Sequence, residues 1–421
     1  MEDFLDTIGV SLEAFCKEFT GSWMFGYVDA LRQVGVRTVV ICVSARVVAP
    51  SRFTHVPTGA SICVLPVPRI YRHLRRKMVN PYGRTIRQMF GEIGHSRFFL
   101  LPVLGAFKEA VLYLTTPLRL IARELRREGC KVILCQEYEY PRFDVCVMLG
   151  RLMRLPVFAT FQGGDYQRCR IERYLRPHTI RACASLIITT QRENQRVRTR
   201  YGIDPTKLTR IFNPINLELW SAIDRAEARG ALAIPADAQV IVWHGRVSIQ
   251  QKGLDILLEA WERVCRPRRG RDLRLLLVGT GKDADKLRQR IASMELRGIF
   301  WMNEFVHDRN AIRRYLSAGD VYAFPSRHEG FPVSLIEAMA CGLPVVAADA
   351  NGIADILEDQ EASGGLVVPR DNAEELALAL GRVLDDEVWS RELGKRGRCR
   401  AEAYFSCEAV GKQLRTFLFN S

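Results

Sequence analysis

At 421 residues the chain is longer than one ordinary core organises, and two domains are expected. Its 48% hydrophobic residues exclude a disordered chain, and the longest uncharged apolar run, FFLLPVLGAF, is about half of the roughly 20 residues that a spanning helix needs. The net charge of +14 is unevenly divided: residues 1–218 hold 33 Lys+Arg against 18 Asp+Glu, residues 219–421 hold 28 against 29, and a basic half of this kind meets phosphates, nucleic acid or anionic lipid.

In chain order, the first half alternates apolar runs with amphipathic stretches. RTVVICVSA, KVILCQ, PVFATFQ and SLIITT are predicted strands, and 23–33, 105–128, 142–153 and 191–201 predicted helices. The segment 66–98, rich in Arg and Pro, fits neither period and is expected to be a long loop or mobile arm. RIFNPINLELW (210–220) closes this alternation, because Asn213 and Pro214 break structure. A second one follows: AQVIVWHG, helix 252–264, RLLLVGTG, helix 283–293, IFWMNEF, helix 309–317, VYAFPS, helix 332–340 and PVVAAD. A last helical stretch covers about 388–419. The fold class is therefore α/β, with two doubly wound Rossmann-like domains: 1–215, 216–388 and a terminal helix over 389–421.

The 12 cysteines include no C-x-x-C pair and no Cys/His ligand spacing, and Cys42, Cys63 and Cys135 sit in apolar strands. A reducing compartment explains this better than a disulfide framework or a zinc site. The acidic opening MEDFLDTIGV is unlike a leader, so a cytoplasmic location is expected.

Chemistry concentrates where strands of the second alternation end. HGRVSIQQKG places Gly245 and Arg246 at a strand end and Lys252 at the start of a helix, two cations able to clamp a diphosphate. VGTGKDADK brings Gly279 and Gly281 after the next strand and matches G-x-G-x-x-A, a weak signal that lacks a clear acidic partner about 20 residues on. Its DAD, 283–285, could be a metal-binding D-x-D, but acidic residues in a first helical turn are explained by the helix dipole. RHEGFPVSLIEAMACGLPVV places Glu329 in a loop at a strand's carboxyl end and Glu337 inside the following helix, with Pro332 in its first turn and Gly342 past its end. Between the carboxylates lie the N–H groups of Gly330, Phe331 and Val333, a phosphate site by helix dipole and unpaired donors. Carboxylates flanking such a site suit the hydroxyls of a sugar on one side and a ribose on the other.

This stretch resembles the Glu-x7-Glu motif of retaining nucleotide-sugar glycosyltransferases, family four, with the two-domain GT-B fold, and 245–253 is similar to that family's G-R-x5-K-G pattern. The resemblance implies that Arg246 and Lys252 bind the donor phosphates, that Glu337 binds the ribose hydroxyls, and that Glu329 with Gly330, Phe331 and Val333 holds the transferred sugar. Gly279 lies on the donor side. In the first half, Gly21 of TGSWMFGYVDAL stands where the family often has a glycine pair near the donor phosphate, and the pair is not intact. ATFQGGDY resembles a family loop reading T-x-H-x-x-D near the transferred sugar. Gln162 replaces the histidine and cannot act as a base, while Gly164 and Asp165 remain. Glu137 and Tyr138 of QEYEYPRFD form either an acceptor-binding wall or a polar rim.

The implied activity is transfer of a hexose from a nucleoside-diphosphate sugar with retention and without a metal or other cofactor, Glu329, Arg246, Lys252 and Asp165 carrying the chemistry. The acceptor is either a lipid or lipid-linked glycan, reached by peripheral contact of the basic half with an anionic membrane through Arg72, Arg75, Arg76 and Lys77, or a soluble metabolite or polysaccharide. A non-catalytic sensor of nucleotide sugars is disfavoured by the intact motif residues. A nucleic-acid binder is disfavoured because the aromatic residues do not interleave with the basic ones in any recognisable RNA-binding motif.

Overall fold

Every apolar run named in the second alternation becomes a strand, because a strand buried on both faces must be apolar throughout, and Gly365–Val368 adds one more. The structure, a computed structural model, describes residues 5, 10–19, 23–76, 78–79, 85–91, 110, 113–162, 170–306 and 308–419. Its contacts divide the chain into two units: Met1–Ile188, Glu193–Ile211 and Gly411–Ser421 form the first, Thr189–Arg192 and Phe212–Val410 the second.

In the first unit, β1 (Val39–Ser44), β2 (Ser51–Thr54) and β3 (Ser61–Pro66) form one sheet in the order β1-β3-β2. β3 runs parallel to β1 and antiparallel to β2. β4 (Ile133–Cys135), β5 (Val157–Thr160), β6 (Ser185–Ile187) and β7 (Leu208–Thr209) form a second, parallel sheet in chain order. The β2–β3 hairpin is absent from the reading of the sequence, although its turn carries Pro57, Thr58 and Gly59. The His55 N–H closes the turn on the Ala60 carbonyl at 2.9 Å.

Two other expectations for this half change. The helix expected over 105–128 is broken among the described residues: 110, 113 and 114 are helical, the chain leaves helix over 115–117, and a helix resumes over Leu118–Arg127 with Pro117 at its N-cap. Proline supplies no N–H and pushes the residue before it out of helical conformation. The segment 66–98 is not loop throughout: Arg69–Arg75 and Ile86–Phe90 are helical. The second is set by a capping box, in which Thr85 and Gln88 exchange side-chain and backbone hydrogen bonds of 3.1 and 3.2 Å.

The second unit is one six-stranded parallel sheet of β8 (Gln239–His244), β9 (Leu273–Val278), β10 (Ile299–Met302), β11 (Val321–Phe324), β12 (Val345–Ala348) and β13 (Gly365–Val368), in the order β10-β9-β8-β11-β12-β13. Alternate residues serve the two faces. Val240 and Val242 join the core packed with helix Val333–Ala340, whereas Ile241 and Trp243 join the core packed with helices Leu254–Cys265 and Ala373–Asp385. The order reverses between β8 and β11, so the carboxyl ends of these neighbours open the crevice where doubly wound sheets bind ligands.

The stretch 388–419 is two helices rather than one. Glu387–Arg400 continues through a π turn to Phe405, and Cys407–Phe419 begins anew. Ser406 between them is extended because the backbone there pairs with Ile215: the Ile215 N–H reaches the Phe405 carbonyl at 2.7 Å, and the Cys407 N–H reaches the Ile215 carbonyl at 3.2 Å.

The first unit's core holds an ionic cluster. Arg176 is fully buried and grips both oxygens of Asp144, at 2.7 and 3.0 Å, with Glu139 at 3.4 Å. Tyr113 donates to the same Asp144 at 2.9 Å. Removing the one cation from such a pair leaves buried charge uncompensated. Arg176→Met is therefore expected to lower the unfolding free energy by about 3–5 kcal/mol in urea titrations; an unchanged midpoint would show that the cluster contributes nothing net.

Candidate functional site

The site is assembled from three loops of the second unit. The first leaves β8 through Gly245, Arg246 and Val247 into the short helix Ile249–Lys252. Gly279, at φ +128, lies so close to it that an added Cβ would sit 2.0 Å from the Gly245 carbonyl oxygen. The close approach that Gly279 permits is thus to the protein's own loop. The Val247 N–H bonds the Thr280 carbonyl at 2.9 Å, and the Asp283 carboxylate accepts the Ile249 N–H at 3.0 Å. Asp285 pairs with Arg288 at 2.9 Å. The two acidic residues of DAD therefore cap a backbone and pair on a helix surface. Among the described residues, no group of three or more His, Cys, Asp or Glu side chains is placed to hold a metal ion.

Arg327 ties this loop to the one after β11. It is buried, and two of its guanidinium nitrogens bond the two oxygens of Asp255 at 2.8 Å each. It also donates to the Gln250 carbonyl at 3.0 Å and to Asp371. Burial alone would raise the Asp255 carboxyl, but the hydrogen bonds and charge of Arg327, with two backbone N–H groups, hold it below the ordinary value. Arg327 itself is held above its ordinary range, first by its bond to Asp255. The backbone joins in: the Arg327 N–H reaches the Gln251 carbonyl at 3.0 Å. Gly253, at φ +64, completes the seam, since a Cβ there would lie 2.0 Å from the Pro325 carbonyl oxygen.

On this frame stand the four charged residues singled out by the sequence. Lys252 Nζ and Glu329 Oε1 are 2.6 Å apart, with side chains 16% and 9% exposed. Any anion drawn to Lys252 shares it with Glu329. Arg246 is exposed, with one guanidinium nitrogen 3.4 Å from Gln251 Oε1, and Gln251 in turn reaches the His328 carbonyl at 3.5 Å. Glu337, on helix Val333–Ala340, has its Oε2 2.8 Å from His244 Nε2. His244 is the residue before Gly245, so all four cluster around the carboxyl ends of β8 and β11.

Pro332 is the N-cap rather than a helical residue, and the helix begins at Val333. The N–H groups of Gly330, Phe331 and Val333 are at or before the first turn, where a helix offers no internal acceptor. The Phe331 ring is fixed by Phe212 at 5.5 Å and Phe405 at 6.3 Å between centroids. A groove lined by Asp359, Glu392, Lys395, Cys399 and Tyr404 shares none of these residues.

In the first unit, Glu137 and Tyr138 form neither a wall nor a rim. Glu137 is buried and its two oxygens accept the N–H groups of Glu139 and Gln162, each at 3.0 Å. Tyr138 is wholly buried, its hydroxyl bonded to Glu193 and, at 2.5 Å, to Arg196. Both stiffen the loops after β4 and β5, and Gln162 is half-buried beside them. Gly21, Gly164 and Asp165 lie outside the described residues.

Sequence reasoning missed His244, Asp255 and Arg327. Their signals were positional: one precedes a Gly-Arg at a strand end, one opens the helix after Lys252, and one stands two residues before Glu329.

A doubly wound parallel sheet with three loops gathered at its switch point has the architecture in which such folds bind their ligands. The model of the family described as Glycosyl transferases group 1 matches residues 238–386, and that of Glycosyltransferase Family 4 matches residues 95–219. The chain belongs to the group 1, family 4 glycosyltransferases, with the GT-B fold. It is 31% identical over 239 residues to a D-inositol 3-phosphate glycosyltransferase of Kineococcus radiotolerans, covering 53% of this chain and 54% of that one. It thus spans about half the length of that relative. It is 27% identical over 360 residues to an alpha-D-kanosaminyltransferase of Streptomyces kanamyceticus, covering 82% of this chain and 88% of the other. The structure of Anabaena Alr3699/HepE in complex with UDP has the same fold, with a TM-score of 0.68 at 16% identity over 96% of this chain and 98% of that one.

The Arg327–Asp255 fork gives a pH test. A carboxyl held below its unfolded value stabilises the fold above that value, and the contribution is lost as pH falls through the folded one. Asp255→Asn should cost about 1.5–3 kcal/mol at neutral pH. Its deficit against wild type should shrink as the pH falls below the ordinary value of 3.8; a deficit independent of pH in that window contradicts the assignment.

Proposed function

We propose that the chain transfers a hexose from a nucleoside-diphosphate sugar to a hydroxyl acceptor with retention of anomeric configuration. The carrying observation is the gathering of Arg246, Lys252, Glu329 and Glu337 around the N-terminus of helix Val333–Ala340 at the switch point of the sheet. The two cations and the Phe331 and Val333 amides grip the diphosphate. Glu337 accepts from the ribose, and Glu329 accepts from the sugar. The bond from the anomeric carbon to the diphosphate oxygen breaks while the acceptor oxygen bonds the same face of that carbon. The acceptor's proton passes to the departing diphosphate. Positive groups fixed beforehand stabilise the charge that grows on the leaving group, so positioning and electrostatics supply the rate and no metal is invoked. UDP in the Anabaena neighbour, and the sugar-transferring activities named for the relatives, support this reading.

Thermal stabilisation by a panel of nucleotide sugars identifies the donor, and its hydrolysis or transfer gives the assay. Lys252→Met and Glu329→Gln should each lower kcat by about 10²-fold or more, the usual loss when one fixed charge-stabilising group is removed. A Glu329→Gln enzyme with full transfer removes that residue from the site. EDTA should leave turnover unchanged, and a strict requirement for added manganese would overturn the metal-free scheme.

A specific feature favours a lipid or lipid-linked acceptor over a soluble one. Helix Arg69–Arg75 presents Ile70, 72% exposed, beside Arg69, His73 and Arg75, with Arg76 following, within the half that holds the whole excess of positive charge; Arg72 instead turns onto the protein and donates to the Val47 carbonyl at 3.1 Å. An exposed apolar residue in a basic helix suits the peripheral face of an anionic membrane. No helix among the described residues is long and apolar enough to cross one. Sedimentation with anionic vesicles, weakened by salt and absent with neutral vesicles, is the expected result; equal binding to both favours the soluble acceptor.

A further inference from the structure

We infer that His244 is a positioning residue that gives the site its selectivity for a ribose, by fixing Glu337 in one orientation; this rests on the reading of Glu337 as the ribose acceptor. His244 ends β8 and is only 7% exposed. Its backbone carbonyl accepts the Tyr322 hydroxyl at 3.2 Å, and the Tyr322 ring packs against its imidazole, centroids 5.3 Å apart and planes inclined by 56°. The imidazole is therefore held by the sheet itself. Its Nε2 meets Glu337 Oε2 at 2.8 Å, and its Nδ1 is buried with no partner among the described residues. A carboxylate only accepts, so Nε2 is the donor.

The consequence is geometric. A glutamate on a helix swings about three torsions, and a carboxylate that moves freely accepts from any hydroxyl nearby. One oxygen held by a buried donor restricts how the carboxylate turns and leaves Oε1 as the oxygen open to a ligand. That suits the hydroxyls of a ribose and gives no partner to a sugar that lacks them. A lysine or arginine at this place would also hold Glu337, but it would neutralise the charge that makes the acceptor strong. Imidazole donates through one nitrogen and needs no full charge to do so.

The test is the ratio of dissociation constants of a nucleoside diphosphate and its 2′-deoxy form, measured by calorimetry with UDP against dUDP and GDP against dGDP. Wild type should prefer the ribose form of the better-binding base by about tenfold or more, the worth of one hydrogen bond to a charged group. Glu337→Gln and His244→Phe should both bring the ratio near one, and His244→Gln, whose amide can still donate to Glu337, should restore most of it. Mere loss of fold would weaken both nucleotides and leave the ratio in place. If Glu337→Gln collapses the ratio while His244→Phe leaves it intact, the inference fails and the reading of Glu337 stands. If wild type binds both forms equally, or binds neither base, that reading fails and the inference with it.

Discussion

One buried guanidinium holds the candidate site in register. Arg327 closes a two-toothed fork on Asp255 and reaches the Gln250 carbonyl and Asp371. It lies two residues before Glu329, and Asp255 lies three after Lys252. Two loops from different strands thus become one rigid piece, and the 2.6 Å approach of Lys252 to Glu329 follows from it. Arginine alone among side chains offers the planar pair of donors that this geometry needs.

The sheet order explains why the piece faces a crevice. Reversal between β8 and β11 sends the connections that follow them to opposite sides of the sheet, so loops and a helix N-terminus meet at their shared carboxyl end. The two carboxylates have different supports. Glu329 shares its charge with a lysine, which ties its position to whatever else that lysine binds. Glu337 is set by the imidazole that ends a strand. Both arrangements place charge on regular elements rather than on loops alone, which is how sites are kept in geometry.

The parallel sheet of the second unit was legible because buried strands need unbroken apolar runs, and QVIVWH, LRLLLV and VYAF have little else. Four of its site residues were legible because their spacing is tied to a strand–turn–helix pattern. Their supports were not. Arg327 and Asp255 are 72 positions apart, and nothing local distinguishes their contact from two solvated charges. The same limit misplaced Tyr138, whose aromatic and polar character fits a rim as well as a core; its partners Glu193 and Arg196 come from a distant helix. Short local signals were present and overlooked in two places: the turn Pro57–Gly59, and the Thr85–Gln88 capping box inside what the Arg and Pro content suggested was loop. The break at Ser406 could not be seen, since it depends on pairing with Ile215.

The first unit shows how a basic chain buries acid. Arg176 and Arg196 serve Asp144, Glu139 and Glu193 inside the core, so part of its arginine content is structural and only the remainder is available to outside anions. For the second unit, the most direct measurement is a crystal structure with the best-stabilising nucleotide sugar bound. The diphosphate is expected at Arg246, Lys252 and the amides of Phe331 and Val333, with the ribose on Glu337 and the sugar on Glu329. A nucleotide bound away from the carboxyl ends of β8 and β11, or one with its ribose out of reach of Glu337, would contradict it.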